Sequence, residues 1–162
     1  MEKEISTYLN LLEESLMKKS AVLTEILDEN KKADEMLKAE ELDLEAFDKS
    51  MDKKGELAAK LDGLDDGFDA VYGKIREEIL GHPEEYKVQV KRIQDLIREI
   101  TDKQTSIQAQ EVRLKKAVEA HSTRISGELR ARRNTSTAAQ NYYQAMNKLG
   151  SSIPPQFMDR KK

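Results

Sequence analysis

Beginning at Ile5, steps of four and three residues land in turn on Leu9, Leu12, Leu16, Lys19, Leu23, Ile26, Asn30, Ala33 and Leu37. A seam with this period lies along one side of an α-helix and needs other helices against it, so the chain is bound to fold as a helical bundle or coiled coil. Only Lys19 and Asn30 interrupt it, and a polar seam residue fixes register at some cost in stability. A second seam reads Leu44, Phe47, Met51, Lys54, Ala58, Leu61, Leu64 or Asp65, Phe68, Tyr72, Ile75 and Ile79. The third is the longest: Tyr86, Val90, Ile93, Ile97, Ile100, Gln104, Ile107, Glu111, Leu114, Val118, His121, Ile125 and Leu129.

Punctuation separates the seams. In Glu40-Glu41-Leu42-Asp43-Leu44-Glu45, Asp43 suits an N-cap and Glu45 the positive end of the helix dipole, so the chain turns and restarts there. Gly81-His82-Pro83 closes one helix and opens the next, Gly suiting a helix end and Pro a first helical position. The predicted helices span residues 3–38, 44–80 and 84–131, forming an elongated, all-α, antiparallel three-helix bundle over residues 1–133. Gly55, Gly63, Gly67 and Gly73 each cost about 1 kcal/mol against Ala in a helix interior, which predicts a kink or loosened turn near Gly63 to Gly67. At 1.5 Å per residue the second helix measures about 55 Å and the third about 70 Å, so the third overhangs. Val118, His121, Ile125 and Leu129 then fall at or beyond the first turn, where fewer partners cover them. Apolar residues at a protruding end form a binding surface or a self-association seam.

Composition agrees with a narrow core. Of the 162 residues, 38% are hydrophobic, 36% charged and 5% aromatic, too few rings and too much charge for a thick globular interior. With no Cys there is no disulfide framework, thiolate metal site or Cys nucleophile, in keeping with a reducing, cytoplasmic setting. The N-terminus lacks a signal peptide's basic start and apolar stretch, and no apolar run is long enough to insert in a membrane. The net charge of −3 hides a division: residues 1–80 carry 12 basic and 22 acidic side chains, net −10, and residues 81–162 carry 16 and 9, net +7. Opposite signs favour folding one half on the other and argue against a nucleic-acid binder.

Little here converges for catalysis, so no enzyme activity, cofactor or metal is expected. His82 and His121 lie far apart without a metal-like companion at i+4. Asp62-Gly63-Leu64-Asp65-Asp66-Gly67-Phe68-Asp69 is the nearest approach to a calcium loop. Its third position is Leu64 and its twelfth Gly73, where a bidentate Glu is required, so it reads as a solvated acidic helix face. Arg130, Arg132 and Arg133 read as a solvated helix end in preference to a nucleic-acid or lipid contact.

After Arg133 the heptad pattern breaks at Asn134-Thr135-Ser136-Thr137, and Gly150-Ser151-Ser152-Ile153-Pro154-Pro155 ends regular structure, leaving a tail of residues 134–162 with room for a short helix at 138–149. From Arg130 onward seven basic residues face the single acid Asp159, and Tyr142, Tyr143 and Phe157 supply three of the eight aromatics. Two readings stand side by side: Tyr142, Met146 and Leu149 pack back on the bundle, or they form an exposed recognition motif. One apolar face serves both if the segment folds back when the chain is free and releases when a client arrives.

The long first helix, the restart at Asp43-Leu44-Glu45-Ala46-Phe47, the charged second helix, the longer third, and the ending Tyr142-Tyr143 with Pro155-Gln156-Phe157-Met158-Asp159-Arg160-Lys161-Lys162 together resemble the FlgN-type flagellar export chaperones. The resemblance covers nearly the whole chain in architecture, and its more specific pieces are the restart segment and the aromatic, basic ending. It implies a cytoplasmic protein that holds hook-filament junction proteins, prevents their premature assembly and delivers them to the export gate of the flagellar type III apparatus. Family members bind clients through the C-terminal third and touch the gate through a tyrosine there. Carried over, Val118, Ile125 and Leu129, with Met146 and Leu149, become candidate client contacts, and Tyr142 or Tyr143 the candidate gate contact. The alternative is a structural coiled-coil adaptor or a homodimer, in which the same seams pair between chains.

Overall fold

A computed structural model describes the backbone of residues 2–132 and the side chains of residues 4–121. Three helices make up this part of the chain: α1 (Glu2–Lys38), α2 (Leu44–Gly81) and α3 (Lys87–Arg132). The fold is the expected all-α three-helix bundle. The Asp43 side chain accepts the Ala46 N–H at 3.1 Å, and its carbonyl accepts the first intrahelical bond, from Phe47 N–H at 3.0 Å. At the other end of α2 the His82 N–H donates to the Ile79 carbonyl at 3.3 Å. Residues 83–86 form a turn, so α3 starts three residues later than expected and Pro83 opens that turn instead of the helix.

α1 is the central element. It packs closely against both α2 and α3, whereas those two approach each other less closely. The up-down-up order sets α2 antiparallel to α1: Ser15 Oγ donates to the Leu64 carbonyl, and Lys19 Nζ meets Asp65 Oδ1 at 2.6 Å. α3 returns parallel to α1, so that Gln89 Nε2 donates to Ser6 Oγ, Lys103 Nζ to Ser20 Oγ, and Asn30 Nδ2 to Gln110 Oε1 at 3.0 Å. The third helix was expected to run back along the second; its nearer neighbour is the first.

The core divides in two. A long cluster of buried apolar residues runs from Ile5, Ile79 and Tyr86 at one end to Ile26, Leu57 and Ile107. A smaller one gathers Ala33, Leu37, Phe47 and Leu114, with Met36, Leu42, Met51, Ala117 and Val118 packed around it. Between them the seams turn polar. Here Asn30 bonds Gln110, whose own amide donates to the Leu27 carbonyl, and Lys54, 1% exposed, holds Glu111 Oε1 at 2.7 Å. Burying an ion inside a bundle is costly unless its partner is well placed, and a polar layer of this kind specifies which residues face one another. The layer is incompletely satisfied: Asn30 Oδ1, Ser50 Oγ and Gln104 Nε2 are buried without a hydrogen-bond partner among the described residues.

α2 is continuous through Gly63 and Gly67, with no glycine at positive φ among the described residues, so the expected loosened turn does not form. Gly63, Gly67 and Gly73 sit on the outer side, where an added Cβ meets nothing within 4 Å. Their cost lies in backbone freedom alone, and packing of Leu61, Phe68 and Tyr72 on the inner side holds the helix together. Alanine at all three positions is therefore expected to stabilise the protein by about 2 kcal/mol and raise the melting temperature by about 6 °C, read by circular dichroism.

The acidic segment is the expected helix face, but one of its carboxylates is buried instead of solvated. Of the choice between Leu64 and Asp65, the seam takes Asp65, which turns inward to Lys19 while Leu64 is half-buried. Burial pushes the Asp65 carboxyl above the usual carboxylate range, offset in part by the Lys19 ammonium. Asp62, Asp66 and Asp69 lie on continuous helix, as the helix-face reading expects, and no group of three or more metal-ligating side chains occurs among the described residues.

Candidate functional site

The distal end of the bundle, where α1 stops and α3 continues, is the site marked by the sequence. Leu114 is buried against Ala33, Leu37 and Phe47, and Val118 is half-buried beside them. One turn further, His121 Nε2 lies 2.6 Å from the Leu37 carbonyl. Carbonyls in the last turn of a helix lack an intrahelical donor, so an imidazole N–H directed there satisfies one of them and ties α3 to the end of α1. Val118 and His121 thus sit at the end of the bundle, where the helix lengths place them, and both still have partners there. Beyond His121 the α3 backbone continues for 11 residues, about 16 Å, to Arg132.

Ile125 and Leu129 fall on this projecting stretch of helix, but their side chains lie outside the described residues, as do Tyr142, Tyr143, Met146, Leu149 and the whole of residues 134–162. Of the sequence-marked positions the structure therefore brings one, Val118, into contact with the distal cluster. It also places Met36, Leu42 and Met51 in the same patch, on α1, the first turn and α2. A helical period says which residues share a face of one helix and not which residues of different helices share a level, so this grouping with Val118 is not legible in the sequence.

A second apolar surface lies at the opposite end, where α2 hands over to α3. An open groove of about 690 Å³ lies there. Tyr72, Ile79 and Leu80 line one wall, and Val88 and Val90 the other. Leu80 is 52% and Val88 66% exposed, and the two lie together in this groove. Neither residue lies on a seam. The available signal was their adjacency to seam positions Ile79 and Val90 on either side of the turn.

No helix among the described residues is long and apolar enough to cross a membrane. Comparison of the chain with protein-family models, with curated proteins and with solved structures finds no match.

Proposed function

We propose that the protein is a flagellar type III export chaperone that binds hook-filament junction proteins, holds them from premature assembly and presents them to the export gate. The observation that carries this reading is the projection of α3 about three turns beyond the point where His121 meets the end of α1, on a stretch that contains Ile125 and Leu129. An amphipathic terminus of a client lays its apolar face along such a helix and completes a bundle that the chain leaves unfinished. Covering that terminus removes the surface by which the client polymerises. The three-helix architecture is also the one the resemblance implies, and the basic, tyrosine-bearing sequence after Arg133 supplies candidate gate contacts in Tyr142 and Tyr143. In this role the protein works in the cytoplasm, without catalysis, cofactor or metal.

The test is co-purification with the hook-filament junction proteins of the same organism, with multi-angle light scattering on the free chain and on the complex. The proposal expects a monomer that shifts to a one-to-one complex. A stable homodimer that ignores the junction proteins is the result of the rival adaptor reading, in which Ile125 and Leu129 pair between copies.

A further inference from the structure

We infer that the groove between the end of α2 and the start of α3 is a second docking site, built for a partner's short amphipathic helix whose apolar stripe is flanked by acidic residues. Three observations carry this, and none depends on the reading of the distal end.

The first is shape. Lys87 to Gln94 forms one wall, about 11 Å or two helical turns long. A volume of about 690 Å³ spread over that length gives a channel about 9 Å across, near the width of an α-helix with its side chains and wider than a single extended alkyl chain. The second is chemistry of the walls. Leu80 and Val88 stand exposed along it, offering the spaced apolar contacts into which a helix sets its i and i+3 or i+4 residues.

The third is charge. The lining includes three cations, Lys87, Lys91 and Arg92, and no acid. Lys91 is paired with Asp95 at 3.0 Å, while Lys87 and Arg92 have no carboxylate partner among the described residues. Lys87 and Lys91 stand four residues apart on one helix face, a spacing that matches two acids one turn apart on a facing helix. The same charge argues against the chain's own residues 134–162 as occupant, since these carry Lys148, Arg160, Lys161 and Lys162 against Asp159 alone. Like charges across an interface cost affinity and select against that pairing.

The probe is a 21-residue synthetic helix with Leu at the a and d positions of each heptad, Glu at e and g, and one Trp on its apolar face; its twin has Lys in place of Glu. The chain has no Trp, so the indole emission reports the peptide alone. On the full chain the Glu peptide is expected to bind saturably, at least about 10-fold more tightly than the Lys peptide. Val88→Asp should weaken the Glu peptide at least about 10-fold, with an unchanged circular dichroism spectrum because Val88 is exposed. Lys87→Glu combined with Arg92→Glu should reverse the preference between the two peptides. Equal binding of both peptides, or binding indifferent to Val88→Asp, overturns the proposal. So does a dimer of the free chain that Val88→Asp dissolves, which would assign the groove to a second copy. Binding to phosphatidylglycerol vesicles that Val88→Asp abolishes would assign it to a membrane surface and overturn the proposal equally.

Discussion

Truncating Lys54 to alanine is expected to destabilise the protein by about 3 kcal/mol, lowering the melting temperature by about 9 °C. The Lys54 side chain is 1% exposed and that of Glu111 14%, so the substitution removes the stem from the core and takes the ammonium away from a largely buried carboxylate. Replacing the pair together, Lys54→Met with Glu111→Leu, is expected to return stability to the original value or above it, because matched apolar side chains avoid the desolvation of two ions. Urea unfolding of the two single variants and the double variant gives the coupling between them directly. A double variant as unstable as Lys54→Ala would mean that the polar layer contributes net stability.

The pair also sets a pH dependence. Burial lowers the Lys54 pKa below the ordinary 10.5, with the Glu111 charge and hydrogen bond opposing the shift. The folded chain then holds this proton less tightly than the unfolded chain. Stability from this group rises as pH climbs from the lowered folded value to 10.5, and is constant above it. The stability gap between the original chain and the Lys54→Met, Glu111→Leu variant should accordingly narrow over that alkaline window.

Ending the chain after His121 is expected to leave the bundle intact and to reduce affinity for the junction proteins at least about 100-fold. Both core clusters lie within residues 5–118, and His121, which ties α3 to the Leu37 carbonyl, is retained, so melting should shift by only about 2 °C. What is lost is the projecting helix with Ile125 and Leu129 and everything after it. Unchanged affinity in the shortened chain would move the client site to the bundle itself, with the patch of Met36, Leu42, Met51 and Val118 as the obvious remainder.

How far these features can be read from sequence depends on whether they follow from period or from register. The seams follow from period, and all three helices appear within three residues of their expected limits. Lys19, Asn30, Lys54 and Glu111 were visible as polar seam positions for the same reason. That Lys19 meets Asp65 while Lys54 meets Glu111 depends on how far each helix slides along its neighbour, which no single-helix period contains. Nor does a period contain interhelical distance, so α3 lying closer to α1 than to α2 was not legible, and the groove that this leaves beside Leu80 and Val88 went unseen. The loosened turn expected at Gly63 and Gly67 fails for a different reason: helix propensity is a small term per residue, and burial of the opposite face outweighs it. At the distal end, helix length alone places the end of the bundle close to His121, whereas the contact of His121 with the Leu37 carbonyl depends on register, which no length contains.

The central claim is that this chain holds a junction protein and keeps it from assembling, and the most direct measurement is polymerisation of a purified hook-filament junction protein followed by light scattering with increasing amounts of the full chain. The account predicts that assembly stops at one chain per client and resumes when Ile125→Asp with Leu129→Asp replaces the original protein. Assembly that proceeds at the same rate with an excess of the full chain would contradict it.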